Sequence, residues 1–499
     1  MLSRTMVRTF AGAAAVALSF AGVTPVVAHE GGGDIATNTR GLEVETEGEG
    51  KKMSLVANLQ YNNSGEAQNG SDIEFVKLDG RNYALAGTLR GGMQIIDITR
   101  PRSPKRVAVY KCAITQGDIQ VWRNGGRVLA SYTADSPLRA ADAESKCARD
   151  LDVDAGEAGT FIVDISSPQE PQSVSFIPVE RGSHNMTIHP SGKYLYNSNS
   201  DLATSTEPSI DIFDVSDPKR PKKVLDFAIP FVPTSLGSES HDITFNKSGK
   251  RAYSAALSQT LILDTRNPAK PRILSEIVDP SINVVHQADP VRLKRPDGSM
   301  RSLLIITDER AGAAGSAECP GGGLHVYDVT RKKNPEKLGA WFIDETAPQA
   351  GTTCTSHVLR IYPRQKMITI AWYSQGVRVI DIKGLATFEG GPDAVAFGDG
   401  IGMKEVGHYT LPDSDTWSFK TNKIKRDGSF FGYGNDLVRG FDVYKFKGLN
   451  RGVPPLKPRD MTPRAESTSS RMLLPLAVLL PAMLLAGLMR RRSRKPLAG

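Results

Sequence analysis

The chain has 499 residues, a formal net charge of +8 and four cysteines, and 39% of its residues are hydrophobic. This length and apolar content are typical of a folded protein with a sizeable core and exclude a wholly disordered chain. The excess of positive charge lies at the two ends, so the long middle part is almost neutral and lacks the basic surface that binds nucleic acid.

The N-terminal residues have the features of an export signal. Two arginines precede an apolar stretch without acidic residues, which ends in small residues at 26–28. This pattern predicts a signal peptide over residues 1–28 that is cleaved before His29, with a retained membrane anchor as the alternative. The Gly- and Glu-rich residues that follow predict a flexible linker over 29–52.

One short motif recurs seven times: a β-branched apolar run, then an aspartate, then an apolar or small residue. The aspartates are Asp97, Asp164, Asp214, Asp264, Asp328, Asp381 and Asp442. They lie about 50 to 67 residues apart, which suits four short strands and their loops per repeat. The repeat predicts an all-β protein, a seven-bladed β-propeller over residues 53–446. Five of the aspartates precede a proline turn, so we expect these residues to accept N–H groups of the turn rather than to act in catalysis.

The two ends of the repeat region predict how the propeller closes. The seventh repeat lacks a fourth strand after Asp442, whereas a spare strand at 53–61 precedes the first repeat. If the spare strand joins the last blade, that blade is complete and the propeller has no free edge. We therefore predict that residues 53–61 pair with the strand around Asp442.

The C-terminal residues predict a membrane anchor. A stalk rich in Lys, Gly, Pro, Arg and Ser is predicted over 447–471. Residues 472–489 carry no charge, and a helix of this length spans about 27 Å, close to the thickness of a hydrocarbon core. The basic tail at 490–499 is expected to stay in the cytoplasm. The sequence thus predicts a single-pass protein of the cell membrane with an extracellular propeller.

The cysteines predict two disulfides, because the chain is expected to be exported, although four cysteines allow three pairings. In the predicted propeller, Cys112 lies in the loop that enters the second blade and Cys147 in a long loop of that blade. Cys319 and Cys354 lie in neighbouring loops of the fifth and sixth blades. Crossed pairings would span the whole propeller, so we predict the disulfides Cys112–Cys147 and Cys319–Cys354.

The second copy of the motif, FIVDI at 161–165, is close to the motif that gives the LVIVD-repeat propellers their name. Over about residues 53–446 the chain resembles this family of exported, surface-anchored, mostly prokaryotic proteins. The resemblance implies a β-propeller at the cell surface, but no particular activity. The chain is more distantly similar to the selenium-binding (methanethiol oxidase) propellers, a family that uses rim or channel histidines for copper.

Four consecutive blades begin their innermost strand with a histidine. These residues are His184, His241, His286 and His357. Equivalent positions on adjacent blades direct side chains towards one axis, and neutral imidazole is a good ligand for copper and zinc. Glu309 is expected beside His286. We predict that the four histidines bind a transition metal ion, copper or zinc, at the mouth of the channel, with Glu309 either as a further ligand or as a hydrogen-bonding partner of the ligands. The alternative is that the histidines only form hydrogen bonds within the propeller.

Carboxylates are expected to face this arc of imidazoles across the channel. At the position of the histidines, the first and second blades offer Asp72 and Asp118, and the seventh offers Asp415 or Thr416.

Two functional classes remain. The first is a cell-surface binding module that presents the propeller to an extracellular protein, a glycan or a small ligand. The second is a metal-dependent extracellular oxidoreductase or related enzyme that uses the histidine arc. The sequence contains no GxSxG motif and no Walker loop, so no catalytic residue is assigned. We favour the binding module, because the fold serves binding more often than catalysis.

Overall fold

The structure, a computed structural model, describes residues 45–62, 66–234, 236–309, 319–345 and 353–462. These residues all belong to one compact unit. The predicted signal peptide (1–28), membrane helix (472–489) and basic tail (490–499) lie outside them. Within the described ranges, no helix has both the length and the apolar character that crossing a membrane requires.

Seven blades, each built on four antiparallel strands, form a β-propeller. In chain order the described elements are β1 (Glu49–Lys51), β2 (Met53–Leu59), β3 (Gly70–Leu78), β4 (Arg81–Thr88), β5 (Met93–Asp97), β6 (Lys105–Tyr110), β7 (Gln116–Asn124), β8 (Arg127–Ala134), α1 (Ala140–Ala143), α2 (Lys146–Leu151), β9 (Gly159–Asp164), β10 (Gln172–Pro178), β11 (Asn185–Ile188), β12 (Tyr194–Ser198), β13 (Ser209–Asp214), β14 (Lys222–Ala228), β15 (Asp242–Phe245), β16 (Arg251–Ala256), β17 (Gln259–Asp264), β18 (Arg272–Ile277), β19 (Val285–Lys294), β20 (Met300–Asp308), β21 (Leu324–Asp328), β22 (Glu336–Phe342), β23 (Leu359–Tyr362), β24 (Met367–Ala371), β25 (Val377–Asp381), a 3-10 turn (Lys383–Ala386), β26 (Val395–Phe397), β27 (Asp399–Gly400), β28 (Met403–Thr410), β29 (Thr416–Lys420), β30 (Phe430–Asp436) and β31 (Gly440–Phe446).

The blades follow one another along the chain. Blade 1 is β3–β6, blade 2 is β7–β10, blade 3 is β11–β14, blade 4 is β15–β18, blade 5 is β19–β22, blade 6 is β23–β25 with β28, and blade 7 is β29–β31 with β2. The short strands β26 and β27 connect β22 to β28, so blades 5 and 6 share one continuous sheet. The prediction of an all-β, seven-bladed propeller is confirmed.

The innermost strand of each blade, strand A, borders the central channel. Each strand A contacts the next around the propeller, and β29 of blade 7 contacts β3 of blade 1, so the ring is closed. Each pair of neighbouring blades encloses its own apolar layer; for example, Leu195 and Phe213 of blade 3 pack with Ile162 of blade 2. The third strand of each blade is therefore buried on both faces, which explains why the repeat motif on this strand is a continuous apolar run.

Six of the seven motif aspartates hold the turn that follows them. Each accepts the backbone N–H two residues later through Oδ1, at 2.8 to 3.2 Å: Asp97, Asp164, Asp214, Asp264, Asp328 and Asp381. Asp442 differs, because β31 continues to Phe446 and no turn follows. Its carboxylate instead accepts from Arg439 Nε at 2.7 Å and from Asn58 Nδ2 at 2.8 Å.

Strand β2 closes the ring. It is the outermost strand of blade 7 and pairs antiparallel with β31, with Met53 opposite Phe446 and Leu59 opposite Phe441. The predicted pairing of this strand around Asp442 is confirmed. The preceding strand, β1, pairs with β28 at the outer edge of blade 6. The predicted linker (29–52) therefore does not extend to residue 52, because the backbone of β1 is already held in a sheet.

Residues 447–462 differ from the predicted stalk (447–471), because they pack on the propeller. Leu449 and Val453 are buried in the apolar layer between blades 6 and 7. Leu456 exchanges backbone hydrogen bonds with Ile424 of blade 7. The composition hid this, since the few apolar side chains that bind the segment to the propeller stand among many Lys, Gly and Pro residues. Only the part of the predicted stalk after 462 lies outside the described residues.

Both predicted disulfides are confirmed. Cys112 and Cys147 have their Cα atoms 5.1 Å apart, and Cys319 and Cys354 have theirs 5.4 Å apart. The first joins the end of blade 1 to α2, in the long connection between β8 and β9. The second joins the connection between β20 and β21 of blade 5 to the segment that precedes blade 6.

Candidate metal centre

Four histidines lie side by side at one end of the central channel. Neighbouring imidazole ring centres are 4.2 Å apart for His184 and His241, 4.4 Å for His241 and His286, and 4.3 Å for His286 and His357. All four side chains are buried, and none is more than 4% exposed. The structure therefore brings the four predicted histidines into one continuous arc.

Strand pairing places these histidines. In blades 3, 4 and 6 the histidine N–H donates to a carbonyl of strand B in the same blade. A buried serine precedes each of these three residues and anchors the turn; Ser240 Oγ, for example, lies 2.8 Å from Ser254 Oγ on β16. In blade 5, a β-bulge between Val285 and Gln287 places His286. Each imidazole consequently leaves the inner end of strand A and meets its neighbour from the next blade.

Three potential ligand atoms converge near the middle of the arc. One nitrogen of His241, one nitrogen of His286 and one carboxylate oxygen of Glu309 lie within 4.8 Å of one another. Glu309 Oε2 is 3.6 Å from His286 Nε2, and Oε1 is 3.5 Å from Nε2 of His357. Ligand atoms about 2.0–2.1 Å from a zinc ion lie roughly 3 Å from one another. A small shift of these side chains would therefore let them share one ion.

His184 is held by a carboxylate on the side away from the arc. Its Nδ1 lies 3.0 Å from Asp135 Oδ1, and its Nε2 lies 2.9 Å from Nε2 of His241. The carboxylate can only accept, so Nδ1 carries the proton and Nε2 of neutral His184 carries the lone pair. A carboxylate on the far ring nitrogen is the usual partner of a metal-binding histidine.

In His357, as in His184, Nδ1 carries the proton and Nε2 the lone pair. Its Nδ1 donates to the backbone carbonyl of Trp417 at 2.6 Å, which leaves the lone pair of the neutral ring on Nε2, the atom that faces Glu309. Tyr373 donates its hydroxyl to Glu309 Oε1 at 2.6 Å. Burial and the neighbouring Glu309 raise the pKa of Tyr373 well above its usual value, so the phenol keeps this proton. Asp135, Tyr373 and the Trp417 carbonyl were not predicted from the sequence.

The prediction that carboxylates occupy the histidine position in blades 1, 2 and 7 is wrong. The strand registers align Asp72 and Asp118 with Asn185 and Gln287, the residues that follow a histidine, rather than with the histidines themselves. The same register places Asp415 and Thr416 before the histidine position, which Trp417 occupies in blade 7. The β-bulges at the start of strand A in blades 1, 2 and 7 cause this offset, because sequence alignment of the repeats cannot count a bulge.

A second cluster of ligand-type residues is held together by a cation. Carboxylate oxygens of Glu345 and Glu405 and a nitrogen of His408 also lie within 4.8 Å of one another. The fully buried Arg378 Nη1 lies 2.5 Å from Glu345 and 2.9 Å from Glu405. The guanidinium already supplies the positive charge that these carboxylates need, so we assign this cluster to structure.

A cavity of about 380 Å³ occupies the channel next to the histidines, and His286 and Trp417 form part of its lining. Alternate residues of strand A point into it in two tiers. The first tier includes Asp72, Asp118, Asn185, Asp242 and Gln287, and the second includes Glu74, Gln120, Thr187, Thr244, Asp289, Arg360 and Lys420. The centre of the propeller is therefore strongly polar and rich in carboxyl groups.

The carboxyl groups of this cavity fall into two classes. Lys420 Nζ lies 2.5 Å from Asp72 Oδ1 and 3.2 Å from Glu74 Oε1, and Arg360 also binds Glu74. Although burial acts to raise the pKa of Glu74, the two cations hold it below its usual value. In contrast, burial together with nearby Asp289 raises the pKa of Asp242 to about 7. Burial, with Asp72 and Asp242, also raises the pKa of Asp118 well above its usual value.

No protein-family model and no curated protein matches the chain. Among solved structures, the chain is similar to the periplasmic gluconolactonase of Pseudomonas aeruginosa, with 9% identity, a TM-score of 0.49, and coverage of 74% of this chain and 96% of that one. It is also similar to a functionally unknown protein from Desulfotomaculum acetoxidans (15% identity, TM-score 0.40, coverage of 69% and 90%). A protein from Lactobacillus plantarum has 9% identity and a TM-score of 0.45, with coverage of 78% and 99%.

Proposed function

We propose that His241, His286 and Glu309 bind one transition metal ion, and that the chain is an exported propeller built around this centre. The proposal rests on one observation: two imidazole nitrogens and a carboxylate oxygen, all buried, lie within 4.8 Å of one another. Two histidines and a glutamate are a ligand set for zinc, and imidazole also suits copper. We therefore propose zinc or copper as the ion.

The residues on either side of the three ligands support this proposal. His184 and His357 extend the arc, and each directs the lone pair of its neutral ring towards the cluster because its Nδ1 donates elsewhere. One of these two imidazoles is the natural fourth ligand. Hydrogen bonds on the far nitrogen fix the ring orientation and raise ligand basicity, so Asp135 and the Trp417 carbonyl are positioning groups in this proposal.

We further propose that the propeller is displayed outside the cell, anchored by residues 472–489, and is related to the LVIVD-repeat propellers. The seven copies of the motif support the relationship, and two disulfides support an oxidising compartment. In this setting the protein acts as a surface binding module for an extracellular protein, glycan or small ligand, with the metal as part of its binding face.

Metal analysis of the full-length protein, purified in a mild detergent, tests the centre. We expect about one zinc or copper ion per chain, and a melting temperature that rises by about 3 °C when the ion is present at a hundred times its Kd. The double variant His241→Ala/His286→Ala should bind no ion and show no shift. His408→Gln, which changes a histidine of the second cluster, should behave like the wild type.

A folding defect is separated from a binding defect by melting both variants without metal. A wild type that contains no metal and does not respond to added zinc, copper or nickel would refute the centre. So would a double variant that still binds the ion with the affinity of the wild type.

A second candidate function, a metal-dependent oxidoreductase, is supported by the position of the cavity. His286 belongs to the three proposed ligands and also lines the cavity, so a small molecule there would lie next to the ion. An open coordination position is required for such chemistry. Azide added to the copper-loaded protein should then change its electron paramagnetic resonance spectrum, and an unchanged spectrum would exclude this function.

A further inference from the structure

Folding sorts the charged residues of the propeller onto two opposite faces. Each blade runs through strands A to D from the centre outwards, so its A–B and C–D turns lie on the face away from the histidines. We call this face, together with the segment that follows β31, the basal face. It comprises residues 79–80, 98–104, 125–126, 165–171, 189–193, 215–221, 246–250, 265–271, 295–299, 329–335, 363–366, 382–402, 421–429 and 447–462. The basal face contains 23 lysines and arginines but only nine aspartates and glutamates.

The opposite face, which we call the histidine face, has the opposite charge. It consists of the B–C loops and the connections between blades, and its described residues include 18 aspartates and glutamates but seven lysines and arginines. Of the 23 basal cations, all but Arg295, Lys366 and Arg451 are exposed. Tight turns require Gly, Pro, Asn, Asp or Ser, not cations, and exposed charges of one sign repel one another. The excess of basal cations therefore indicates an anionic partner rather than a need of the fold.

An apolar cavity on the basal face indicates what kind of anion this partner is. The cavity has a volume of about 430 Å³, and Phe75, Ile361 and Leu456 form part of its wall. Exposed cations also line it, namely Arg364, Lys457 and Arg459. An amphiphile with an anionic headgroup can use both the apolar wall and the cations, whereas a nucleic acid would use only the cations. The cavity thus favours an anionic lipid.

The described chain also ends on the basal face. Thr462 accepts the N–H of Asp79 at its hydroxyl, at 2.6 Å, and Arg123 Nη2 at its carbonyl, at 3.0 Å. Nine residues, 463–471, separate Thr462 from the proposed membrane anchor at 472–489. Even a fully extended chain of this length spans at most about 35 Å. A propeller anchored in this way has its basal face within reach of the membrane surface.

We propose that the basal face binds the surface of a membrane that contains anionic phospholipid. The proposal rests on the membrane anchor of the proposed function and adds the face and the lipid class that it recognises. Each lysine or arginine close to such a surface strengthens binding by about fivefold. The same lipids repel the acidic histidine face, so the candidate metal centre is directed away from the membrane, towards the solution.

Lysine acetylation of the full-length protein in lipid nanodiscs, measured by mass spectrometry with an uncharged reagent, tests the proposal. Discs of phosphatidylcholine alone are compared with discs that also contain phosphatidylglycerol. We expect the exposed basal residues Lys425 and Lys447 to react at least about fivefold more slowly in the phosphatidylglycerol discs. Lys111, on the histidine face, should react equally in both. High salt should abolish the difference, because it screens the attraction.

Two triple variants separate the basal face from a general effect of positive charge. Arg364→Gln/Lys457→Gln/Arg459→Gln removes the three cations of the apolar cavity and should lower the salt concentration at which the protection of Lys425 is lost. The matched control is Lys111→Gln/Lys146→Gln/Arg149→Gln, because it removes three exposed cations from the histidine face. The control should leave that salt concentration unchanged. Melting temperatures of both variants reveal a misfolded protein.

The proposal is overturned if the basal lysines react equally in the two kinds of disc, or if the two triple variants reduce the protection to the same extent. Protection of Lys425 by double-stranded DNA in phosphatidylcholine discs, without protection by phosphatidylglycerol, would assign the basal face to nucleic acid instead. A protein that does not enter the discs at all would refute the membrane anchor itself, and the lipid surface with it.

Discussion

The disulfide Cys319–Cys354 fastens the chain on both sides of the proposed metal centre. Cys319 comes shortly after Glu309 in the sequence, and Cys354 comes three residues before His357. The two segments are also joined by hydrogen bonds: Gly321 N–H donates to the carbonyl of Cys354 at 2.8 Å, and Ser356 Oγ donates to the carbonyl of Asp308 at 2.9 Å. We predict that Cys319→Ser/Cys354→Ser loses metal affinity as well as stability.

The other disulfide, Cys112–Cys147, is a control that closes a loop of the same length. Both disulfides link cysteines 35 residues apart, so the chain-entropy model gives each the same contribution, about 4 kcal/mol. For a propeller of this length, that corresponds to a fall in melting temperature of about 5 °C. Cys112–Cys147 lies beside blade 2, which supplies none of the three proposed ligands. Its removal should therefore lower stability without disturbing the position of the ligands.

The assay measures melting temperature and metal affinity for both double variants. We expect similar losses of about 5 °C, together with a tenfold or greater loss of zinc or copper affinity only in Cys319→Ser/Cys354→Ser, since misplaced supporting groups commonly weaken metal sites by 10- to 100-fold. If Cys112→Ser/Cys147→Ser loses as much affinity, or if neither variant loses any, the disulfide does not position the centre.

Two further predictions concern the fold. Removing residues 1–60 takes away β1 and β2 and leaves β31 as an unpaired edge, so the melting temperature should fall by at least about 5 °C or the protein should aggregate, whereas removing only 1–48 keeps both strands and should have little effect. Burial lowers the pKa of His325 to about 4. Between pH 6.5 and 4 the unfolded chain therefore binds a proton that the folded chain does not, and the free energy of unfolding should fall with pH by up to about 3 kcal/mol from this residue. Urea unfolding of the wild type and His325→Phe should show a flatter pH dependence in the variant; equal slopes would contradict the assignment.

The architecture could be predicted because its signals are repeated and local. In six of the seven copies the apolar run before the motif aspartate ends a buried strand, so these copies report the same environment. The closing strand could be predicted because one blade had three strands and the other end of the chain had one too many. The extent of the C-terminal stalk could not, since the burial of Leu449 and Val453 depends on contacts far away in the sequence.

Of the residues at the metal centre, only the four histidines and Glu309 could be predicted. The histidines occupy one equivalent place in strand A, which the repeats reveal directly. Asp135, Glu309 and Tyr373 also share a place, just after strand B of blades 2, 5 and 6, according to the strand registers. Glu309 was predicted without this comparison, and aligning the repeats at this second position would have added Asp135 and Tyr373. The positions of Asp72 and Asp118 along strand A could not be predicted in this way, because a β-bulge shifts the strand register without a recognisable sequence pattern.

The segment of residues 451–462 gives the propeller an unusual response to mechanical load. It bonds in turn to Asp381 of blade 6, Ile424 of blade 7, Lys77 of blade 1 and Arg123 of blade 2. A tension applied to the chain after residue 462 therefore acts first on contacts spread over four blades, on both sides of the seam between the last blade and the first. The hydrogen bonds between β2 and β31, which close the ring, therefore carry that force only after residues 451–462 have detached from the propeller.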